Sequence, residues 1–131
     1  MILVDTSAAY ASVNRNDPHH SEAVSLFQAA NDKGEALLTH SYVVSEAVNL
    51  IQRRLGLAPA LAFLQDLDHY TIHWMDRDDH DEAAALFRAR NRRGLSLVDC
   101  ASFVVMRRYG VTRGLFFDAD FEHEVFELYS G

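Results

Sequence analysis

The chain opens on Met1-Ile-Leu-Val-Asp5, an apolar run that stops at an acidic residue. A short apolar run bounded by a charge is typical of a strand that is buried on both faces of a parallel sheet. The same pattern recurs near the other end, where Gly114-Leu-Phe-Phe-Asp118 again passes from apolar residues to an aspartate. We therefore expect two buried strands, each with an aspartate at its carboxyl end.

Strand-like and helix-like segments alternate along the rest of the chain. Apolar and β-branched content predicts strands at 2–5, 36–39, 70–74, 113–117 and 125–128. Helical periodicity, with glycines as stop signals, predicts helices at about 17–33, 41–55, 59–68, 78–93 and 98–109. This order predicts one α/β domain over residues 1–131, built as three α/β/α layers around a parallel sheet of about five strands.

The composition supports one domain in a reducing compartment. At 131 residues the chain can bury a core, and its 49% apolar content argues against disorder. No apolar run approaches the roughly 20 residues that span a bilayer, and no signal-peptide pattern is present. The single cysteine, Cys100, cannot form an internal disulfide, and its neighbour Asp99 disfavours the thiolate that a nucleophile requires. We expect a reduced, cytoplasmic protein.

The net charge of −7 at pH 7 is unfavourable for binding nucleic acid, yet the positive residues are clustered. All but one of the 12 are arginines, and nine lie in groups at 53–54, 88–93, 107–108 and 113. Arginines at helix C-termini could simply complement the helix dipole. Because the guanidinium group also suits phosphate, Arg92, Arg93, Arg107 and Arg108 are candidates for contacts with a nucleic-acid backbone.

Four acidic residues lie where apolar segments break off: Asp5, Glu46, Asp99 and Asp118. Asp5 and Asp118 end predicted strands and Asp99 starts a predicted helix, so these three share the sheet edge where ligands bind. Glu46 lies inside a helix, on the flank of its apolar stripe, and we expect its side chain to point along the sheet and away from bulk water. Converging carboxylates require a compensating cation, which favours a divalent metal site and metal-assisted phosphodiester hydrolysis.

Each acid also has a simpler structural explanation. Asp5 could cap a helix that begins near Thr6 or Ser7, and Ser96-Leu-Val-Asp99 fits the capping-box pattern. Asp118-Ala-Asp120 could be a solvated loop, whereas Glu46 has no comparable explanation because the middle of a helix needs no cap. The seven histidines show no zinc-site spacing, and we expect them at the surface.

Four motifs together resemble a known family. They are Ile2-Leu-Val-Asp5-Thr-Ser-Ala8, Ser45-Glu46, Leu95-Ser-Leu-Val-Asp99-Cys-Ala-Ser-Phe103 and Phe117-Asp118-Ala-Asp120-Phe121. In order and spacing they resemble the PIN-domain ribonucleases, specifically the VapC-type toxins of prokaryotic toxin–antitoxin pairs, over nearly the whole chain. The resemblance implies a PIN-like fold, which agrees with the parallel sheet expected from the alternating pattern.

The resemblance also implies roles for individual residues. Asp5, Glu46, Asp99 and Asp118 match the family's catalytic acids, and Asp5, Asp99 and Asp118 its metal ligands. Asp120 matches a further acid, while Ser7 and Ser96 match hydroxyl residues that support the metal ligands. The family often has Thr or Ser two residues before the fourth acid, where this chain has Phe116. Whether Asp118 or Asp120 has the larger part is left open.

The implied activity is Mg²⁺- or Mn²⁺-dependent hydrolysis of RNA by a metal-activated water. The family further implies a small antitoxin partner and a homodimer. The alternative is a catalytically silent PIN-like module that holds RNA or a protein partner. Metal dependence of RNA cleavage discriminates between these two hypotheses.

Overall fold

A computed structural model describes residues 1–117, 121, 124 and 126–131. Within those residues the strands are β1 (Ile2–Val4), β2 (Leu37–His40), β3 (Thr71–His73), β4 (Arg113–Leu115) and β5 (Glu127–Leu128). The helices are α1 (Thr6–Val13), α2 (His20–Asp32), α3 (Ser41–Leu55), α4 (Leu57–Asp66), α5 (Arg77–Arg90) and α6 (Leu97–Tyr109), with a short 3₁₀ helix at Leu67–His69 between α4 and β3. None of these helices is long and apolar enough to cross a membrane.

The five strands form one parallel sheet in the order β3-β2-β1-β4-β5. The central strand β1 pairs with both neighbours through Leu3, which lies opposite Leu38 on one side and Gly114 on the other. Because every described pair is parallel, the carboxyl ends of all five strands lie at the same edge. The predicted α/β class and the parallel five-stranded sheet are therefore confirmed.

Helices cover both faces of the sheet, because successive residues of a strand point to opposite sides. Leu3 and Leu38 pack with α5 and α6 in one core, whereas Ile2, Val4 and Leu115 pack with residues of α1 to α4 in the other. The three-layer architecture predicted from the sequence is confirmed. Its carboxyl edge carries the turns into α1 and α3.

Several element boundaries differ from those predicted. Helix α1 follows β1 directly, where the sequence pattern marked only a possible cap. Helix α2 begins at His20, after a turn in which Asp17 accepts a hydrogen bond from the backbone N–H of His19 at 2.8 Å. Asp17 therefore caps that turn, and the Asp17-Pro18 signal lies just before the helix.

Phe116 has a packing role that explains its departure from the family pattern. Its ring is buried and stacks on Phe121 with the ring centroids 4.5 Å apart. A Cβ atom at position 114 would lie 2.9 Å from the Phe116 ring, so Gly114 leaves the space that this ring occupies. The position belongs to the core in this chain.

Helix α5 distributes its apolar residues over two environments. Ala83 is fully buried and Leu86 packs against the core, but Phe87 is 40% exposed. The apolar side of α5 thus ends in an exposed aromatic ring.

Candidate active site

Asp5 leaves β1 at the carboxyl edge and begins α1. Its backbone N–H donates to the Leu115 carbonyl at 3.1 Å, which fixes it beside the end of β4. Its Oδ2 atom accepts hydrogen bonds from the Ser7 hydroxyl at 2.8 Å and from the Ser7 backbone N–H at 3.3 Å. Asp5 is therefore the N-cap of α1, as the simpler explanation proposed, and only 5% of it is exposed.

Capping does not account for the electrostatics of Asp5. Burial raises the pKa of its carboxyl to about 6, despite the hydrogen bonds from Ser7 that act to lower the pKa, and the charge of Asp99 raises it further. Hydrogen bonds to a carboxylate normally hold its pKa down. Desolvation and the neighbouring Asp99 carboxylate therefore outweigh the cap, and the two acids lie close together.

Asp99 occupies the first turn of α6 and forms a complete capping box with Ser96. The Asp99 backbone N–H donates to the Ser96 hydroxyl and the Ser96 backbone N–H donates to Asp99 Oδ2, both at 3.0 Å. The residue is 9% exposed. The capping geometry expected from the sequence is thus present, and the same residue carries the charge that Asp5 senses.

Ser7 connects Asp5 to the segment that follows β4. Its hydroxyl donates to Asp5 and accepts a hydrogen bond from the Phe117 backbone N–H at 3.2 Å. The ring of Phe117 also stacks on His19, with the ring centroids 4.4 Å apart. Phe117 directly precedes Asp118 in the sequence, and Asp118 and Asp120 lie outside the described residues.

Glu46 lies on α3 with its side chain exposed, so the expectation that it points away from bulk water is wrong. The buried stripe of this helix is formed by Val43, Ala47 and Ile51, and the helical rotation places Glu46 outside that stripe. In the part of the chain that the structure describes, no three acidic, histidine or cysteine side chains converge tightly enough to hold a metal ion. The described site is therefore the pair Asp5 and Asp99.

This pair fits a hard divalent cation. Carboxylate oxygens are the donors that Mg²⁺ and Mn²⁺ prefer. Both hydrogen bonds from Ser7 to the Asp5 side chain fall on Oδ2, and the Thr6 backbone also bonds to this carboxyl. The adjacent Thr6 hydroxyl is buried and makes no hydrogen bond with the described residues.

The two arginines at the end of α6 are committed to ion pairs. Arg107 donates to Glu124 at 2.8 Å, and Arg108 donates to Asp79 at 2.7 Å and to Glu82 at 2.6 Å. Both guanidinium groups are partly exposed, at 47% and 43%. These contacts give both arginines a structural role on the α5–α6 flank, and their contact with RNA stays a prediction.

The other two arginine candidates lie in the loop before Ser96. Arg92 and Arg93 line a surface pocket of about 500 Å³, together with Phe87, Arg88 and Asn91. This pocket is separate from the Asp5–Asp99 pair and was not expected from the sequence.

His40 is a buried polar residue that the sequence analysis placed at the surface, and that expectation is wrong. It ends β2, is fully buried, and its Nε2 atom lies 2.8 Å from the Ser102 hydroxyl on α6. Burial, with a smaller effect from His73, lowers the pKa of His40 to about 3, so its ring is neutral at pH 7. The contact joins β2 to the helix that carries Asp99, and its only sequence signal is the position of His40 at a strand end.

The sequence and fold are similar to those of proteins with known activity. The PIN-domain profile matches residues 2–125. The chain is 32% identical over 123 residues, 92% of each protein, to the 23S rRNA-specific endonuclease VapC20 of Mycobacterium tuberculosis. It is 27% identical over 110 residues to Ribonuclease VapC26 of the same organism, covering 82% of this chain and 79% of that protein.

Solved structures give the same result. The crystal structure of M. tuberculosis VapC20, described as a sarcin-ricin loop cleaving toxin, superposes with a TM-score of 0.88 at 30% identity over 96% of each chain. FitAcB from Neisseria gonorrhoeae superposes with a TM-score of 0.67 over 99% of this chain and 97% of the other. At 11% identity this second match shows a similar fold alone.

Proposed function

The chain belongs to the PIN-domain family and is homologous to the VapC toxin ribonucleases, and on that basis we propose that it is a divalent-metal-dependent endoribonuclease. The observation that carries the proposal is the Asp5 carboxylate. It is buried beside the charge of Asp99, and within the described residues it has no cationic partner. A divalent cation from solution would compensate the charge of this carboxylate.

We propose that Asp5 and Asp99 hold the ion, which is Mg²⁺ or Mn²⁺. Ser7 and Ser96 fix the two carboxylates through the hydrogen bonds at the starts of α1 and α6. Asp118, which follows the Ser7-bonded Phe117, is the third proposed ligand, with Asp120 as a further acid. Glu46 is proposed to act from the rim of the site, since its side chain is solvent-exposed.

The proposed reaction is hydrolysis of the phosphodiester by water. A divalent ion lowers the pKa of a water and polarises the phosphoryl group. In this proposal the protein would position that ion through Asp5 and Asp99. Since water is the nucleophile, the products are a 5′-phosphate and a 3′-hydroxyl, and the ribose 2′-hydroxyl takes no part.

Ribosomal RNA is the substrate class that we propose to test first. The relative VapC20 is named as a 23S rRNA-specific endonuclease, and its structure is described as that of a sarcin-ricin loop cleaving toxin. The identity of 32% over 92% of both chains supports the comparison. A synthetic sarcin-ricin loop is therefore the first RNA of the test panel.

We also propose that the protein acts in the cytoplasm as a homodimer and is inhibited by a small antitoxin protein. Homology to VapC toxins supports the antitoxin. Light scattering on the purified protein measures the dimer directly, and a monomer at micromolar concentration would contradict it. Co-purification with a small co-expressed protein from the neighbouring gene tests the partner.

The deciding experiment is cleavage of an RNA panel by purified protein, with Mg²⁺, with Mn²⁺ and with EDTA. The proposal expects cleavage only with metal, loss of cleavage in Asp5→Asn, and 5′-phosphate ends. Binding of RNA without cleavage under any of these conditions would instead indicate a silent PIN-like binding module. Equal cleavage in wild type and Asp5→Asn would indicate a contaminating nuclease and would overturn the proposal.

A further inference from the structure

A pocket at the end of α5 combines an exposed aromatic ring with several cations. It has a volume of about 500 Å³ and is lined by Phe87, Arg88, Asn91, Arg92 and Arg93. Its walls come from the last turn of α5 and from the loop that leads towards α6. This volume lies in the range of sites that bind small ligands.

Phe87 contributes its ring to this pocket because it lies outside both cores. It is 40% exposed, whereas the preceding Leu86 packs against the core between α5, α6 and the sheet. A single exposed apolar residue needs no explanation by itself. An exposed ring that shares a pocket with guanidinium groups is more specific, because it offers a stacking face next to positive charge.

The arginines of this region divide into two groups. Arg90 and Arg107 both bond to Glu124, at 2.6 Å and 2.8 Å, so their charges are compensated. Arg88 and Arg93 are exposed and make no ion pair with any residue that the structure describes. The pocket is therefore a local cationic site in a protein whose net charge is −7.

A short loop connects the pocket to Ser96, the capping partner of Asp99. Asn91 adopts a left-handed conformation, with φ 47° and ψ 48°, which ends α5 and turns the chain. The Leu95 backbone N–H then donates to the Arg92 carbonyl at 3.3 Å. Arg93 is three residues from Ser96, the partner of Asp99, and three residues of chain span at most ~11 Å.

We propose that this pocket binds one unpaired nucleotide of the RNA substrate beside the scissile phosphate, with its base stacked on Phe87 and its phosphate held by Arg88 and Arg93. The inference rests on the proposed function. An unpaired nucleotide is required because only an unstacked base can present its face to a side chain. The arginine forks suit phosphate oxygens, and the ring suits any base. An acidic peptide would use the arginines but would gain nothing from the aromatic ring.

The stacking contact is tested by binding, with EDTA present so that no metal-dependent cleavage occurs. The probes are single-stranded RNA hexamers, each carrying 5-iodouridine at a different position. Light cross-links the hexamer to the protein, and mass spectrometry identifies the cross-linked residue. We expect a cross-link to Phe87 from one position. Phe87→Leu should lose this cross-link and bind the hexamer roughly 5- to 150-fold more weakly, whereas Phe87→Tyr should restore both.

The phosphate contacts are tested by the salt dependence of the same binding. Arg88→Gln and Arg93→Gln should each reduce the slope of log K against log salt by about 0.7, the value expected for one phosphate contact on a single strand. Arg53→Gln is the matched control, since Arg53 is also an exposed arginine at the end of a helix and its loss changes the net charge equally. This control should leave the slope unchanged.

The outcomes separate this pocket from the proposed function. Cross-links that map elsewhere, or equal hexamer affinity in wild type and Phe87→Leu, would overturn the pocket even if metal-dependent cleavage is found. A Phe87 cross-link with the predicted affinity loss would support the pocket even if no RNA is cleaved. A polyglutamate peptide is the competing probe. If its binding depends on Arg88 and Arg93 while binding of the RNA hexamer does not depend on them, the pocket would be assigned to a protein partner and the RNA proposal would be overturned. Thermal melts of all variants identify any loss of folding, and Phe87→Tyr keeps the test valid if Phe87→Leu is unstable.

Discussion

Buried carboxylates occur in two regions of this molecule, and their environments are opposite. On the flank formed by α5 and α6, Glu124 accepts hydrogen bonds from Arg90 at 2.6 Å and from Arg107 at 2.8 Å. These contacts, and above all the one with Arg90, lower the pKa of Glu124 to about 2. At the carboxyl edge of the sheet, burial raises the Asp5 pKa to about 6, and the neighbouring Asp99 adds to the effect.

The difference lies in whether the chain supplies the compensating charge. Asp79, on the same flank as Glu124, repeats the first case: burial acts to raise its pKa, but His73, the Asp76 backbone and Arg108 together lower it. These flank carboxylates stabilise the packing of α5 on α6. At the sheet edge the Asp5 carboxylate lies beside the charge of Asp99 and makes no ion pair with a described arginine, which is an arrangement that favours binding a metal ion over stabilising the fold.

The largest expected effect is on catalysis. Asp5→Asn and Asp99→Asn should each reduce metal-dependent RNA cleavage by on the order of 10² or more, because each removes a carboxylate that positions the ion. Asp81→Asn is the matched control, since Asp81 is 58% exposed and pairs with Arg77 on the surface of α5. Single-turnover cleavage rates measure the effect. Wild-type rates in both edge variants would place the chemistry elsewhere.

The second prediction uses the opposite pKa shifts, measured by urea unfolding in EDTA. Because folding raises the pKa of Asp5, the contribution of this carboxyl to the free energy of unfolding is full below pH 3.8. That contribution is lost as the pH rises through 6. Asp5→Asn should therefore be more stable than the wild type at pH 7, by up to about 3 kcal/mol, and the difference should shrink towards pH 4. A variant that is less stable at pH 7 would show that the Asp5 charge stabilises the fold and would contradict the raised pKa.

The third prediction applies to the flank, where the sign reverses. Because folding lowers the pKa of Glu124, the contribution of this carboxylate to the free energy of unfolding is present above pH 4.5. That contribution is lost as the pH falls towards 2. Glu124→Gln should cost about 1.5–3 kcal/mol at pH 7, because it removes charge-assisted hydrogen bonds to Arg90 and Arg107. The same unfolding series measures it, and the melting-temperature response to Mn²⁺ should persist. A neutral effect at pH 7 would remove the contrast between the two regions.

The fold was predictable because its signals are local. Apolar runs such as Ile2–Val4 and the spacing of apolar residues in α3 identify strands and helices without knowledge of distant contacts. The parallel order then places Asp5 and Asp99 at one edge from general rules of α/β sheets. The structure brings these two together, while Asp118 and Asp120 lie outside the described residues and remain predictions.

The features that the sequence did not predict depend on distant partners. The ion pairs of Arg107 with Glu124 and of Arg108 with Asp79 could not be predicted, because the partners lie 17 and 29 positions away. His40 is buried because Ser102, 62 positions later, satisfies one ring nitrogen. Phe87 has the helical spacing of a core residue, and only the packing of α5 shows that its ring is exposed.

The central claim is that the buried pair Asp5 and Asp99 is a metal site, and thermal unfolding of wild type and Asp5→Asn tests it most directly. Asparagine caps a helix about as well as aspartate, so this substitution removes the charge and keeps the start of α1. Melts are compared at pH 7.5, with EDTA and with Mn²⁺, beside Asp81→Asn as a control.

We expect Asp5→Asn to melt above the wild type in EDTA, because the repulsion from Asp99 is relieved. Mn²⁺ should stabilise the wild type and Asp81→Asn by about 2.7 kcal/mol at a hundredfold excess over Kd, and should have little effect on Asp5→Asn. A variant that melts below the wild type in EDTA, beside a wild type that does not respond to Mn²⁺, would show that the Asp5 charge stabilises the fold without a metal ion and would contradict the metal site.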